Sequence, residues 1–191
     1  MKNKENIKIT QTKKAIKIAL FALLKEYDIH DISVKSICEK ANINRGTFYH
    51  HYKNPLDLLS SLEQELLDKI EKLLVSTPIY HYQDLLLINV LEIIKENKEL
   101  CMVIFFNQQE MKIVEKLMKL INKTSMLSII TSNSNMNELE FNYFMQYTIG
   151  GSFAIIQTWI KRDFSESIFF IKEMIINTSN KNIDVLGLNK K

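Results

Sequence analysis

Residues 33–52 read SVKSICEKANINRGTFYHHY, a pattern of two short helices joined by a tight turn. The first helix has an apolar face whose members recur at helical spacing: Val34, Ile37, Cys38 and Ala41. Ser33 is expected to cap this helix, because its hydroxyl can accept a hydrogen bond from an amide of the first turn. Asn42 is expected to end it, since Asn tolerates the left-handed backbone of a sharp turn.

The second helix is predicted over residues 45–52, with Asn44 as its cap and Phe48 directed into the core. Its other side chains are polar or amphipathic: Arg45, Thr47, Tyr49, His50 and His51. A helix with this composition is too polar to serve packing alone. The two helices therefore predict a helix-turn-helix that reads DNA.

These residues resemble the TetR family of bacterial transcription regulators, whose recognition helix reads Gly-Thr-aromatic-Tyr-x-His-aromatic. The match in order is Gly46, Thr47, Phe48, Tyr49, His51 and Tyr52. The resemblance covers the first third of the chain and departs from the family at two positions, since Asn42 replaces a usual Gly and Pro55 replaces a usual phosphate-binding Lys. It implies an all-α fold, with an N-terminal three-helix helix-turn-helix domain and a C-terminal helical bundle for sensing and dimerisation.

Arg45 is predicted to read a base, because a guanidinium can donate two hydrogen bonds to guanine in the major groove. A phosphate clamp or a surface ion pair is the alternative for this side chain. The resemblance further implies base contacts from Lys35, Gly46, Tyr49 and His50. It implies phosphate contacts from Ser33, Thr47, His51 and Lys53. Asn44, at the start of the recognition helix, is also expected to belong to the DNA-binding surface. Packing of the Tyr49 ring against the domain is the alternative for that residue.

Composition and charge agree with a helical protein whose N-terminal part is basic. The 191 residues are 46% hydrophobic and include only four Gly and two Pro. Residues 1–55 contain 11 Lys and Arg against 5 Asp and Glu, whereas the remainder contains 14 against 17. A basic segment suits binding to phosphates, although a solvated lysine-rich face is the alternative.

We predict a DNA-binding domain over 1–55, a linking helix over about 55–75 and a sensing and dimerisation domain over 76–191. The first nine residues are expected to form a mobile basic arm, followed by a helix over 10–26. Further helices are predicted at 82–96, 98–106, 108–130, 137–162 and 165–178, with a loop at 131–137.

No metal site, cofactor motif or catalytic constellation is apparent, so the protein is not expected to be an enzyme. Cys38 and Cys101 lie far apart in the sequence, so neither a disulfide framework nor a metal-binding pair is suggested. His50 and His51 are adjacent helical residues, which do not face one another, so they are not expected to bind a metal as a pair. The basic N-terminus has no apolar signal segment, which predicts a cytoplasmic protein. Residues 141–160 contain no charge and could span a bilayer by length, but their polar side chains favour a subunit interface instead.

Flexible Met and rigid aromatic side chains of the second domain are candidates to line an effector pocket, although an ordinary core is the alternative. These candidates are Met102, Phe105, Phe106, Met111, Met118, Tyr143 and Tyr147. The candidates for a homodimer interface are Phe153, Ile156, Trp159, Phe169 and Ile175. This half also resembles, more weakly, a TetR subgroup that includes regulators linked to dihydroxyacetone kinase.

The sequence therefore predicts a homodimeric transcription regulator that binds a pseudo-palindromic operator in double-stranded DNA and has no membrane partner. By the resemblance, it is expected to be a repressor released by a small-molecule effector at the C-terminal domain. The alternative is a coactivator or adaptor whose C-terminal domain binds a protein partner.

Overall fold

The computed structural model describes residues 2–76, 83–106, 115, 116, 119 and 137–185. Within these residues there are eight α-helices, one short 3-10 helix at Ile29–Asp31 and no strand. The helices are α1 Lys2–Leu24, α2 Val34–Ala41, α3 Arg45–His51, α4 Pro55–Ser76, α5 Gln83–Glu96, α6 Lys98–Phe106, α7 Glu138–Lys161 and α8 Ile168–Val185. The predicted all-α fold class is confirmed. The chain divides into two compact units, Met1–Glu65 and Leu66–Lys191, and the division falls inside α4.

The first unit is organised around one apolar centre to which all four of its helices contribute. α1 packs against α2, and α2 packs against α3. The side chains with no exposed surface are Ile16 and Leu20 of α1, Ile37 of α2, Phe48 of α3 and Leu58 of α4. Each of these helices buries one face in this apolar centre. Packing of its buried face therefore fixes the orientation of α3, and the opposite face takes no part in that packing.

The prediction of a mobile arm over the first nine residues is wrong, because α1 begins at Lys2 and the backbone of residues 2–9 is helical. This segment has no Gly or Pro, and its Lys and Glu residues are good helix formers. Adding residues to an existing helix avoids the cost of a new nucleus, so the segment can extend α1 without burying its side chains. The helix ends at Leu24, two residues before the predicted end.

The second unit is built from α5 to α8, together with the later part of α4. α8 packs against both α5 and α7, and α6 packs against α7. The buried Lys172 of α8 joins this helix to α5, since its Nζ lies 3.1 Å from Asp84 Oδ2 and 2.6 Å from Glu173 Oε1. Hydrogen bonds to Glu173 and Asp84 raise the pKa of Lys172.

The turn between α7 and α8 is held by the side chain of Trp159. Its Nε1 donates to the Glu166 carbonyl oxygen at 2.9 Å, and its own carbonyl accepts from Phe164 N at 3.0 Å. Asp163 and Phe164 have φ of 57° and 58°, which ends the helical run. For this reason α8 begins at Ile168 rather than at the predicted residue 165, and Ser167 Oγ accepts from Phe170 N at 3.1 Å.

The predicted helices at 82–96, 98–106 and 137–162 correspond to α5, α6 and α7. The prediction at 108–130 lies outside the described residues, except for helical positions 115, 116 and 119. The predicted loop is described only at Asn137, which caps α7 by accepting from Glu140 N at 3.0 Å. None of the described helices, α7 included, is long and apolar enough to cross a membrane.

Candidate nucleic-acid interface

The turn between α2 and α3 is specified by caps within a few residues of one another. Ser33 Oγ accepts from Ser36 N at 3.0 Å, and Ser36 Oγ accepts from Ser33 N at 3.2 Å, so the predicted cap of α2 is confirmed. Asn42 has φ 52°, the left-handed conformation predicted for it. The angle at which α3 leaves α2 is therefore set by local hydrogen bonds and one left-handed residue.

Asn44 caps α3, as predicted, and binds Thr47 twice. Its Oδ1 accepts from Thr47 N at 2.7 Å and from Thr47 Oγ1 at 3.0 Å. A phosphate oxygen can only accept a hydrogen bond, and the single hydroxyl proton of Thr47 is already donated to Asn44. The structure thus places Thr47 in the cap, and its predicted hydroxyl contact with phosphate would require that bond to break.

A glycine at position 46 has a structural role in addition to letting the helix approach a DNA groove closely. A Cβ added at Gly46 would lie 3.3 Å from Asn44 Oδ1, the atom that holds the cap. That oxygen is fixed by its two bonds to Thr47, so it has little room to move away. The absence of a side chain at Gly46 therefore leaves the Asn44 cap at the start of α3 undisturbed.

The outward face of α3 presents Arg45, Tyr49 and His50, all of which are exposed. Tyr49 keeps 58% of its surface, while the edge of its ring contacts that of Phe48 with the centroids 5.9 Å apart. The inward face presents Phe48 and Tyr52, which are buried. Burial raises the pKa of the Tyr52 phenol, with smaller contributions from Glu65 and Asp57. The motif identified Tyr52 only as one of its positions and did not reveal its place in the core.

Two predicted lysines lie outside α3, one on α2 and one directly after α3, and both are exposed. Lys35 lies 3.8 Å from Glu39 on α2, an ion pair between two exposed side chains that a phosphate can replace at little cost. Lys53 donates its backbone N–H to Asp57 Oδ2 at 2.8 Å, and Asn54 Oδ1 accepts from Asp57 N at 2.8 Å. This reciprocal cap fixes the start of α4 and places Lys53 directly after the recognition helix.

His51 lies half-buried at the end of α3, with its ring centroid 5.0 Å from that of His50. Burial lowers the pKa of His51, and the charges of His50 and Lys13 lower it further. A neutral imidazole still has one N–H to donate to a phosphate. Lys13 of α1, which was not among the predicted site residues, thus lies close enough to act on the predicted phosphate-binding end of α3.

Cys38 and Cys101 are free and buried. Burial is the largest cause of the raised pKa of the Cys38 thiol, while Arg45 opposes it and Glu39 adds to it. Among the residues that the structure describes, no group of three or more His, Cys, Asp or Glu side chains could hold a metal ion.

The predicted effector pocket does not assemble from its described members. Phe105 is buried and its ring stacks on Phe153 at 4.4 Å, and Met102 is half-buried. Tyr143 and Tyr147 instead keep 72% and 59% of their surface. Of the remaining candidates, Phe106 is placed in α6 but its side chain is not described, and Met111 and Met118 lie outside the described residues.

Most of the predicted dimer-interface residues lie inside the protomer. Ile156, Trp159 and Ile175 are buried against their own chain, and Phe153 is half-buried beneath Phe105. Only Phe169 is exposed, at 64%. The prediction was wrong for these residues because the same apolar helices that could meet a partner also build the core of the second unit.

A different apolar surface is left open between α7 and α8. A groove of about 320 Å³ lies between them, and its rim carries an ion pair between Arg162 and Glu166. Its apolar and small lining residues include Ala154, Ile155, Thr158, Trp159, Phe170 and Met174. Phe169, Phe170 and Met174 are exposed in this protomer. Phe170 and Met174 were not among the predicted interface residues, although their spacing of four residues on one helix face was a usable signal.

Comparisons with known proteins agree with this geometry. Residues 84–181 match a family model described as a transcriptional regulator C-terminal region, and residues 19–62 match the model of bacterial regulatory proteins of the tetR family. An uncharacterized HTH-type transcriptional regulator, YxbF of Bacillus subtilis (strain 168), is 36% identical over 59 residues. That match spans 31% of this chain but only 16% of the relative.

Several solved structures have the same fold. The dihydroxyacetone kinase operon activator DhaS is 23% identical with a TM-score of 0.64, covering 94% of this chain and 98% of that chain. A TetR transcriptional regulator from Streptococcus agalactiae 2603V is 17% identical with a TM-score of 0.66, covering 94% and 99%. SmeT, the repressor of the Stenotrophomonas maltophilia multidrug efflux pump SmeDEF, is 13% identical with a TM-score of 0.66, covering 88% and 90%.

Proposed function

Because this chain belongs to the tetR family of bacterial regulatory proteins, which are non-enzymatic DNA-binding transcription factors, we propose that α3 reads the major groove of one specific operator. One observation carries the proposal. Arg45, Tyr49 and His50 are exposed on a helix whose other face is anchored by the fully buried Phe48. A rigid helix that presents hydrogen-bonding side chains outward has the geometry that direct reading of bases requires.

Arg45 is the base reader in this proposal, and Tyr49, His50 and Lys35 are its neighbours at the groove. His51 and Lys53 contact phosphates, which position the helix without specifying sequence. The Ser33 hydroxyl already donates to Ser36 Oγ at 3.2 Å, so a phosphate contact from Ser33 would require that bond to break. Thr47 and Asn44 act differently: they hold the start of α3 through the two hydrogen bonds described above. Gly46 both protects this cap and allows close approach to the groove floor.

The protein acts as a homodimer on a pseudo-palindromic site, since two copies of α3 can then enter successive major grooves. Support for the dimer comes from Phe169, Phe170 and Met174, which expose apolar surface on α8. A contiguous apolar face of this kind on a soluble unit indicates a protein contact. The groove between α7 and α8 provides the concave surface that such a contact needs.

We further propose that the protein is a repressor released when an effector binds the second unit and changes the spacing of the two DNA-binding units. A second candidate, a coactivator or adaptor that binds a protein partner there, is favoured by the exposure of Tyr143 and Tyr147. Similar folds carry both signs of regulation by name, since SmeT is a repressor and DhaS is an activator.

Selection of sites from a random DNA pool by the full-length protein tests the central proposal. Arg45→Ala should relax preference at one base position of each half-site and cost about 1–3 kcal/mol there. Lys25→Ala, which removes the same charge from an exposed position near the end of α1, should leave the preference unchanged. An identical selected sequence for wild type and Arg45→Ala would refute base reading by Arg45, and failure to select any sequence would refute the function.

A further inference from the structure

Lys172 of α8 is a buried lysine whose charge is paired with two carboxylates. Its side chain keeps 6% of its surface, whereas the side chains of its partners Asp84 and Glu173 keep 66% and 40%. Burial of an ammonium group costs free energy unless the charge is paired and hydrogen-bonded. The carboxylate of Asp84 comes from α5, so one charged group of α8 holds the start of another helix.

The same ammonium group lies against the ring of Phe169, three residues earlier on α8. Its Nζ is 4.6 Å from the ring centroid, within the range of a cation–π interaction. An ammonium group has three N–H donors, and two of them have carboxylate partners here. The remaining donor can point at the face of the ring. Lys172 therefore holds an aromatic ring in place from the buried side of α8.

Phe169 is held in this way although it keeps 64% of its surface. An exposed side chain ordinarily samples several rotamers and loses that freedom when a partner covers it. A ring that is already held in the free protomer loses less, so a contact made through it is less costly. Phe169 thus has the properties of a pre-ordered contact residue.

The surface around Phe169 suits a second copy of this chain. Two surfaces that meet across a twofold axis are identical, so any uncompensated charge on them would repel its own copy. Residues 141–160, which make up most of α7, contain no Asp, Glu, Lys or Arg. Beside them, the groove between α7 and α8 is concave and Phe170 is exposed at its edge. One helical hairpin therefore carries both a cavity and an aromatic side chain that can fill the cavity of a copy.

We infer that Phe169 is an anchor of the contact between two copies of this chain, and that Lys172 is the positioning residue that holds its ring ready for that contact. The inference rests on the proposed function, because it requires the homodimer. Pairing with Asp84 and Glu173 also neutralises Lys172 next to a surface that meets its own copy. Because Asp84 belongs to α5, the dimer contact and the start of α5 depend on one ammonium group.

The test is a double-mutant cycle on the dissociation constant of the full-length dimer, measured by sedimentation across a concentration series. Phe169→Leu keeps an apolar side chain but removes the ring, and should raise the dissociation constant about tenfold. Lys172→Met keeps the length of the buried side chain but removes the charge, and should raise the constant about fivefold in the wild-type background. In the Phe169→Leu background, Lys172→Met should change it by less than about twofold, because no ring is left to hold.

Asp84→Asn provides a second cycle that leaves the core side chains in place. Asp84 is exposed, so its replacement loosens the ammonium group without removing a buried side chain. The dissociation constant should rise about threefold when Phe169 is present and stay unchanged with Phe169→Leu. This cycle decides the outcome if Lys172→Met fails to fold, which fluorescence of the buried Trp159 would reveal.

Lys98→Met is the matched control. Lys98 also pairs with an aspartate, Asp163, and its Nζ lies 5.9 Å from the centroid of the Phe164 ring, but that ring is buried inside the protomer. Its removal should leave the dissociation constant at the wild-type value. Equal effects of Lys172→Met with and without the Phe169 ring, or no effect of Phe169→Leu, overturn the inference while the proposed dimer stands. A wild type that is monomeric at micromolar concentration overturns both.

Discussion

α3 and α8 each bury one face and expose the other, but the exposed faces have opposite chemistry. α3 buries Phe48 and exposes Arg45 and Tyr49. α8 buries Ile171 and Ile175 and exposes Phe169, Phe170 and Met174. A polar exposed face is already satisfied by water and can exchange it for DNA, whereas an apolar exposed face lowers its free energy by meeting another apolar surface. The contrast indicates two classes of partner for two parts of one chain.

The largest effect is expected where α3 is anchored. Phe48→Ala removes the fully buried ring of α3 and should lower the free energy of unfolding of the first unit by about 3–5 kcal/mol. The only Trp of the chain, Trp159, lies in the second unit, so its fluorescence should report an unchanged transition while the helical circular dichroism decreases earlier. Tyr49→Ala, on the exposed face next to it, should change stability by less than about 0.5 kcal/mol. Equal effects of the two variants would contradict the assignment of faces.

The exposed face of α8 can be tested by Phe170→Glu. A charge on the proposed dimer surface should raise the dissociation constant of the dimer at least about 30-fold, the scale of one interface hot spot. Phe153→Glu is a poorer choice, because Phe153 stacks on Phe105 and its removal would disturb the core. Sedimentation across a concentration series measures the effect, with Val75→Glu, an exposed apolar position on α4, as the control. A wild type that is monomeric at micromolar concentration would exclude the proposed dimer.

Gly46 of α3 and Gly150 of α7 allow a further comparison of the two units, with a smaller expected change in stability. Gly→Ala inside a helix normally stabilises by about 1 kcal/mol. Gly150→Ala should show this gain in the dissociated Phe170→Glu background, because nothing lies within 4 Å of the added Cβ. Gly46→Ala should not, because its Cβ presses on Asn44 Oδ1 and the cap it disturbs contributes about 1 kcal/mol. Thermal unfolding of both variants measures the change in stability. A gain in stability for Gly46→Ala equal to that for Gly150→Ala would exclude the proposed steric contact between the added Cβ and Asn44 Oδ1.

The smallest effect expected is the pH dependence of the first unit. The pKa of His51 is lowered in the folded state from its ordinary value of 6.5, so the unfolded chain binds the proton more readily. Stability should therefore be constant above that value and fall as the pH drops through it toward the folded pKa. His51→Gln should flatten this decline, while His30→Gln, at an exposed histidine of the 3-10 helix, should retain it. Unfolding curves collected across this range that coincide for wild type and His51→Gln would contradict the prediction.

The sequence alone was sufficient for the helix-turn-helix because its determinants are local. The cap at Ser33 closes with Ser36, the cap at Asn44 closes with Thr47, and Asn42 adopts its left-handed conformation where the spacing required it. Each of these interactions joins residues within three positions, so the pattern of types specifies the geometry. The helices at 98–106 and about 82–96 were also predictable from composition and spacing.

The tertiary structure decided which apolar residues face inward. α7 and α8 are apolar over much of their surface, so periodicity could not show that Trp159 and Ile175 lie in the core while Phe169 and Phe170 remain exposed. Burial of Lys172 depends on Asp84, which lies 88 positions away in the sequence, and the effect of Lys13 on His51 joins two separate helices. Local patterns determine caps and helix type because neighbours in sequence must be neighbours in space. The side that each helix buries is determined by helices distant in sequence, and only their packing reveals it.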